Sequence, residues 1–267
     1  VDTSWLEKNL DKVKIIDCSW HMPQTKRSGF EEYQKSHIEN AIFFDLDKNS
    51  KIDTELPHML TDIKSWKKIV SSMGIKNEDQ IIIYDNSDII SSCRCWYNFI
   101  YFGHDPSLVS VLNGGLKKWR NEKKPMDDHL ITIEASNYIA TEKKELVKSK
   151  KQIDQNINVN KFKVIDARNR ERFDGKILEP REGLRSGSIK NSFCLPFSEI
   201  INEDHTFIST VKILEKFKLT KCELDENIVF TCGSGVTASV LALAYSLIDT
   251  KYIPTIYDGS WSEYGKN

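Results

Sequence analysis

The sequence predicts an α/β protein of two tandem domains, each a parallel β-sheet with helices on both faces. Two observations favour this fold class. Short apolar runs rich in β-branched residues alternate with segments of helical character, which is typical of parallel strands buried on both faces. The same succession of blocks also appears in both halves of the 267-residue chain.

An internal repeat defines the two domains. Four blocks recur in constant order at offsets of about 145 to 151 residues, a regularity that chance rarely produces. We place the N-terminal domain at residues 1–136 and the C-terminal domain at 137–267, the latter beginning with a linker of about 20 residues. The paired blocks are 14–17 with 163–166, 37–41 with 188–192, 81–85 with 228–232, and 112–115 with 257–260.

Local patterns place the elements within each domain. Ser4 is a candidate N-cap for a helix over 5–10, and apolar residues at helical spacing predict a helix over 65–73. An almost wholly apolar segment predicts a helix over 237–248. The polar, Lys- and Glu-rich stretch 134–155 is interpreted as the connection, partly helical toward its end. The predicted strands are 13–17, 81–84, 163–166 and 228–231.

Composition and charge exclude several classes of protein. The 38 Lys and Arg residues nearly balance the 39 Asp and Glu residues, so we expect neither a nucleic-acid nor a membrane partner. No apolar run approaches the roughly 20 residues of a transmembrane helix, and the first residues do not resemble a signal peptide. The six cysteines are too sparse for a disulfide scaffold and lack zinc-site spacing. We therefore expect no metal and no cofactor.

The chemistry is predicted at Cys232. The strand over 228–231 runs directly into Cys232-Gly233-Ser234-Gly235-Val236-Thr237 and then into a helix. Ligands bind at the carboxyl ends of strands in open parallel sheets. Two glycines let the backbone curl, and a curled loop that enters a helix aims several N–H groups at one point. The sequence therefore predicts a thiolate nucleophile that is held by main-chain amides.

The first half of the repeat offers an internal comparison for this loop. The equivalent turn reads Asp85-Asn86-Ser87-Asp88-Ile89, with neither cysteine nor glycine. It cannot form the same anion-binding loop, and an Asp stands where the nucleophile would be. We infer that the second domain is catalytic and that the first has only a structural role.

These motifs resemble the two-domain rhodanese-type sulfurtransferases, and the loop 232–238 is most similar to that of 3-mercaptopyruvate sulfurtransferases. The related thiosulfate sulfurtransferases have Arg and Lys at the positions of Gly233 and Ser234. The resemblance implies two tandem rhodanese-like domains, of which only the second is catalytic. Further matching motifs lie at Glu179–Gly187, Phe102–His104, Val111–Gly115 and Tyr257–Trp261.

The resemblance also implies the substrate and its ligands. Arg172 and Arg181 match the arginines that hold the carboxylate and carbonyl of 3-mercaptopyruvate, a task that suits the planar guanidinium. Cys232 would take the sulfur as a persulfide and release pyruvate. The acceptor would be cyanide, a small thiol or a thioredoxin-like protein, and the location mitochondrial or cytoplasmic. The loop residues expected to border the substrate are Gly233, Gly235, Val236 and Thr237.

A proton relay is a further implication of the resemblance. Ser234 matches a serine that acts with an Asp and a His of the first domain, here Asp47 and His58, with Asp45 as a weaker candidate for the carboxylate. Such a relay would help to deprotonate the donor thiol. The alternative is that Asp47 and His58 only secure the interface between the domains.

Three other functions were weighed. A cysteine phosphatase or arsenate reductase needs an Arg six residues after the cysteine, and this position is Ala238. A non-catalytic interaction module would not need the intact loop or both arginines. Thiosulfate sulfurtransferase activity is expected only as a slow side reaction. Thiosulfate is a compact dianion that would bind best to positively charged side chains in the loop, whereas Gly233 and Ser234 are neutral.

Overall fold

Two separate parallel β-sheets carry the fold, as the sequence predicts. In the computed structural model the first sheet has the strand order β2-β1-β3-β4 and the second β5-β9-β8-β6-β7, with every pairing parallel. The strands of the first sheet are β1 (Lys14–Asp17), β2 (Ala41–Phe43), β3 (Ile81–Tyr84) and β4 (Val109–Val111). Those of the second are β5 (Val147–Lys148), β6 (Lys163–Asp166), β7 (Phe193–Cys194), β8 (Ile228–Thr231) and β9 (Ile256–Tyr257).

The structure describes most of the chain as two compact units. Each unit contains a short segment from the other half of the sequence, and the predicted division after residue 136 stays a prediction. The described ranges are 1–222, 226–249, 251–252 and 254–266. Unit 1 comprises Val1–Ile52, Leu60–Lys143 and Glu203–Thr206, and unit 2 comprises the described residues of Asp53–Met59, Lys144–Asn202 and Phe207–Asn267.

The internal repeat is visible in the register of the central strands. Lys14 pairs with Ile81 across β1 and β3, and Lys163 pairs with Ile228 across β6 and β8. The turns beyond the strands agree as well. The backbone N–H of Leu116 donates to the carbonyl of Asp85, and that of Trp261 donates to the carbonyl of Cys232, both at 2.9 Å. Asp85 of unit 1 and Cys232 of unit 2 therefore occupy equivalent positions.

Helices connect the strands, with boundaries close to those predicted. The prediction that Ser4 caps the first helix is wrong, because the carboxylate of Asp2 accepts from the backbone N–H of Trp5. The helix predicted over 65–73 begins earlier, because Asp62 accepts from the N–H groups of Lys64 and Ser65. The helices are α1 (Thr3–Glu7), α2 (Gly29–Lys35), α3 (Ile63–Ser72), α4 (Ser92–Tyr101), α5 (Gly115–Asn121), α6 (Lys150–Val159), α7 (Arg170–Phe173), α8 (Thr210–Leu219), α9 (Val236–Ser246) and α10 (Ser260–Tyr264).

Each unit has its own apolar core. Ile15 and Ile16 of β1 are both fully buried, and successive strand side chains point to opposite faces, so both faces of this sheet are covered. In unit 2, Val164, Val229 and Trp261 belong to one buried cluster. Among the described residues, the structure contains no helix that is long and apolar enough to cross a bilayer.

Candidate functional site

Cys232 lies at the carboxyl end of the central strand β8, directly before the loop that enters α9. Its side chain is buried, with 2% of the residue exposed. Gly235 stands at the N-cap of α9 with φ of 80°, a left-handed conformation that glycine adopts without strain. The tight turn that the two glycines predicted is therefore present, and Val236 and Thr237 form the first turn of the helix.

The start of α10 fixes the backbone of this loop. The N–H of Trp261 donates to the carbonyl of Cys232, and the N–H of Ser262 donates to the carbonyl of Gly233, both at 2.9 Å. The hydroxyl of Ser262 also donates to the carbonyl of Gly233, at 2.5 Å. Because N–H and C=O point in opposite directions in a trans peptide, the N–H groups of Gly233 and Ser234 are directed away from α10.

Two guanidinium groups border the loop at Gly233. A methyl group built on Gly233 would lie 3.4 Å from Nη2 of Arg172 and 3.6 Å from Nη1 of Arg181. Nη1 of Arg181 also donates to the hydroxyl of Ser262 at 3.4 Å. The structure thus brings both predicted arginines to the residue that follows Cys232. The absence of a side chain at Gly233 keeps this space open.

Arg172 is held by a buried carboxylate that the sequence analysis did not assign to the site. Nε and Nη2 of Arg172 donate to the two oxygens of Glu179 at 3.2 and 2.5 Å, and the Glu179 side chain is 1% exposed. The same carboxylate accepts from Nη1 of Arg168 at 2.7 Å. Burial opposes the charge of Arg168, but Asp166 and Glu179 hold its pKa above the ordinary value.

An aromatic ring completes the surroundings of Arg168. Its guanidinium carbon lies 4.2 Å from the ring centre of Trp261, and that of Arg185 lies 4.5 Å from the same ring. Both distances fall within the range of cation–π contacts. Arg185 therefore packs on Trp261.

Ser234 and His58 are in contact within unit 2. Nδ1 of His58 lies 2.9 Å from Oγ of Ser234, and both residues are buried. His58 belongs to the segment Asp53–Met59, which is part of unit 2 although it comes from the first half of the sequence. His58 adopts a left-handed φ of 58°, which is uncommon for a residue with a side chain.

Asp47 lies in unit 1, where its position is fixed by an indole. Nε1 of Trp20 donates to Oδ2 of Asp47 at 2.8 Å. Asp45, the weaker candidate, lies 3.0 Å from Nζ of Lys48. The structure thus brings Ser234 and His58 together within one unit and places both candidate carboxylates in the other.

The equivalent loop of unit 1 already contains a carboxyl group, that of Asp85. The carboxylate of Asp85 accepts from the N–H of Ser87 at 2.7 Å and from the N–H of Ser92 at 3.0 Å. Burial raises the pKa of Asp85 above its ordinary value. A carboxylate thus occupies the position that corresponds to Cys232, and it uses the local amides itself.

The described part of the chain has one group of three side chains that could share a metal ion. These are Asp127, Asp128 and His129, whose ligand atoms lie within 4.8 Å of one another. The group lies at the surface of unit 1, and Nδ1 of His129 donates to the carboxylate of Asp127 within the same turn. Nothing else at this position points to a ligand.

Comparison with known families and proteins gives full-length matches. A family model described as rhodanese-like domain matches residues 2–122 and again 149–267. A thiosulfate/3-mercaptopyruvate sulfurtransferase of Arabidopsis thaliana, named mitochondrial, is 36% identical over 99% of this chain and 75% of its own length. The 3-mercaptopyruvate sulfurtransferase of Mus musculus is 34% identical over 94% of this chain and 84% of its own.

Solved structures give the same result. SseA from Escherichia coli, described as a 3-mercaptopyruvate sulfotransferase, superposes with a TM-score of 0.88 at 29% identity, over 98% of both chains. The Tum1 protein of Saccharomyces cerevisiae also reaches 0.88, at 25% identity over 99% of this chain and 93% of its own.

Proposed function

The chain belongs to the rhodanese family, with two rhodanese-like domains in tandem, and we propose that it transfers sulfur from 3-mercaptopyruvate through Cys232. The family, the fold class and the sulfurtransferase activity expected from the sequence are confirmed by the full-length relatives. The single observation that carries the choice of donor is the pair of guanidinium groups of Arg172 and Arg181 beside Gly233.

The charges around the loop favour a keto acid as donor. Arg172 and Arg181 offer planar forks that match a carboxylate and an adjacent carbonyl oxygen. Gly233 and Ser234 add no charge, whereas a thiosulfate dianion would be better served by cations at these positions. 3-Mercaptopyruvate has one carboxylate and one keto oxygen, which two arginines can neutralise.

The reaction is a displacement at the donor sulfur. The Cys232 thiolate forms a bond to this sulfur, and the electron pair of the carbon–sulfur bond moves onto carbon to give the enolate of pyruvate. Arg172 and Arg181 stabilise the negative charge that develops on the oxygens. A proton added to carbon completes pyruvate, and Cys232 is left as a persulfide. An acceptor then removes the outer sulfur, so the kinetics are ping-pong.

The anion on Cys232 would be held by the loop itself. The N–H groups of Gly233 and Ser234 point away from α10, and α9 begins immediately afterwards, with first-turn N–H groups that have no partner within the helix. Amide donors and the helix N-terminus both favour a negative sulfur. No histidine base beside Cys232 in the sequence is needed for this.

Ser234 and His58 are proposed to handle the proton of the donor thiol. Their contact of 2.9 Å supports transfer from the donor through Ser234 to His58. Asp47 would complete the relay, and its hydrogen bond to Trp20 supports an oriented carboxylate. The competing role, in which Asp47 and His58 only secure the domain interface, predicts no change in the chemical step when Ser234 is replaced.

The acceptor and the location follow from chemistry and from the relatives. We propose cyanide, a small thiol or a reduced thioredoxin-like protein as acceptor, because each can attack the outer sulfur of a persulfide. A mitochondrial or cytoplasmic location is proposed, supported by the relative that is named mitochondrial. We propose that residues 1–136 form the domain with a structural role and that residues 137–267 form the catalytic domain.

Thiosulfate is the second candidate donor, because an Arabidopsis relative is named for both donors and a rat relative, 32% identical, for thiosulfate alone. Steady-state kinetics with the two donors side by side test the proposal. We expect kcat/KM for 3-mercaptopyruvate to exceed that for thiosulfate. The reverse order would replace the proposed donor, and no sulfur transfer from either donor would leave only an interaction module.

A further inference from the structure

We infer that Glu179 and Arg168 are positioning residues: a buried chain of alternating charges, Asp166–Arg168–Glu179, orients Arg172 for the carboxylate of the donor. This inference rests on the proposed function, since it assigns the group that prepares one of the two proposed substrate ligands. All four residues lie in unit 2.

The first step of the argument is the way in which Glu179 grips Arg172. The carboxylate engages Nε and Nη2, one edge of the guanidinium, at 3.2 and 2.5 Å. Nη2 is also the nitrogen of Arg172 that borders Gly233, so Glu179 holds this end of the guanidinium beside the loop. An arginine side chain loses conformational entropy when it is fixed in one rotamer. Glu179 imposes that cost before the donor arrives, which is the basis of preorganisation.

The second step is how Glu179 itself is fixed. Arg168 donates from Nη1 to Glu179 at 2.7 Å, and its Nε and Nη2 form a forked pair with Asp166 at the end of β6. Nη2 also donates to the carbonyl of Gly187 at 2.8 Å. Arg168 thus attaches the segment that contains Glu179 to the central sheet. The orientation of Arg172 is therefore fixed relative to the strand beside Cys232.

The internal repeat provides a comparison that links these buried charges to function. In unit 1 the N–H of Ser19 donates to Asp17 at 2.9 Å, and in unit 2 the N–H of Arg168 donates to Asp166 at the same distance. The same turn therefore forms with a serine in place of the arginine. Leu116 likewise occupies the position of Trp261, on which Arg168 packs. At this turn unit 1 has the buried aspartate but a serine in place of Arg168, so the turn itself forms without the arginine that binds Glu179.

Energetics point in the same direction. The side chains of Asp166, Arg168 and Glu179 are each 1% exposed, and the desolvation penalty of buried ions can exceed the attraction that pairing supplies. A buried ion pair is therefore weak evidence for a stabilising role. The orientation of Arg172 accounts for the presence of these buried charges, whereas a contribution to stability does not.

The test is a double-mutant cycle on Glu179→Gln and Arg172→Ala, with kcat/KM for 3-mercaptopyruvate as readout. We expect Glu179→Gln to lower kcat/KM at least tenfold, mainly through KM, while discharge of the persulfide to cyanide stays within twofold. In the Arg172→Ala background the same substitution should change kcat/KM less than twofold. Glu199→Gln is the matched control, because Glu199 also pairs with an arginine of α7, Arg170, but at the surface.

Each outcome is decisive. If Arg172→Ala itself leaves kcat/KM unchanged, the proposed role of Arg172 fails. If Arg172→Ala lowers it and Glu179→Gln does not, or if Glu179→Gln is equally damaging without Arg172, only the positioning role is overturned. Should Glu179→Gln not fold, Arg168→Lys replaces it: lysine can still neutralise Asp166 but has no fork to reach Glu179, and the same rise in KM is expected.

Discussion

The imidazole of His58 lies 2.9 Å from the hydroxyl of Ser234, although 176 residues separate them in the sequence. Ser234 is two residues after Cys232, so the contact brings a group that can accept a proton to the loop of the nucleophile. His58 belongs to the segment of the first half that is part of unit 2. The relay proposed for this pair acts on the donor thiol and not on the persulfide.

Ser234→Ala separates the two half-reactions. We expect the rate of persulfide formation from 3-mercaptopyruvate to fall by about 100-fold, the low end of the effect of a general base. Discharge of the loaded enzyme to cyanide involves no donor thiol and should keep its rate. Rapid-quench measurement of both steps provides the check. Equal slowing of both steps, or of neither, would favour a purely structural role for the pair.

Cys232→Ser should abolish sulfur transfer from both 3-mercaptopyruvate and thiosulfate, because the hydroxyl cannot form a persulfide. Intact-mass spectrometry after incubation with donor should show one added sulfur on the wild type and none on the variant. Cys194→Ser is the control: Cys194 is a half-buried thiol of the same unit, and burial raises its pKa to about 12. Loading of a cysteine other than Cys232 would overturn the assignment.

Arg181→Ala should lower kcat/KM for 3-mercaptopyruvate at least tenfold, which corresponds to about 1.4 kcal/mol of transition-state stabilisation. The guanidinium lies beside Gly233 and contacts Ser262, so its loss removes a ligand of the donor without opening the core. Steady-state kinetics measure the effect. Arg170→Ala, which removes an exposed arginine paired with Glu199, is expected to leave kcat/KM unchanged. An unaltered kcat/KM in Arg181→Ala excludes the carboxylate role.

The buried carboxyl of Asp17 should make stability depend on pH in an unusual direction. Burial raises its pKa from 3.8 to about 6, so the native state retains a proton that the unfolded chain has lost. This contribution is present below about pH 4 and disappears as the pH rises through about 6. It corresponds to about 3 kcal/mol.

Asp17→Asn removes that dependence. We expect the difference in unfolding free energy, variant minus wild type, to grow by up to about 3 kcal/mol between pH 4 and pH 7 in urea titrations. Asp11→Asn, at an exposed position, is the matched control for the substitution itself. A difference that stays constant across this range would mean that Asp17 titrates as it does in the unfolded chain.

The central strands were the most predictable part of the fold. The predicted ranges 81–84, 163–166 and 228–231 coincide with β3, β6 and β8, because each run has consecutive apolar residues that are buried on both faces of the sheet. The edge strands β5, β7 and β9 have only two residues each, too few for any periodicity to appear. The first helix begins at Thr3 and not after Ser4. The amino group of Val1, just before this helix, donates to the carbonyl of Val111.

Burial of charge was the part of the site that the sequence did not reveal. Cys232, Arg172 and Arg181 were recognisable from the loop and from the resemblance, and the structure brings the arginines to Gly233. Arg168 and Glu179 look like ordinary surface charges in sequence. The signal that could have found them is the contrast between Asp17-Cys18-Ser19 and Asp166-Ala167-Arg168 in the two repeats.

The reciprocal exchange of segments has a consequence for the evolution and dissection of this protein. A polypeptide that starts at Lys144 would contain Cys232, Arg172 and Arg181 but would lack His58, and one that stops at Lys143 would lack Glu203–Thr206. Neither half therefore contains all the residues of its own unit. Gene fission at the midpoint would place Cys232 and the proposed proton acceptor His58 on separate polypeptides, so the proposed relay requires both halves of the chain.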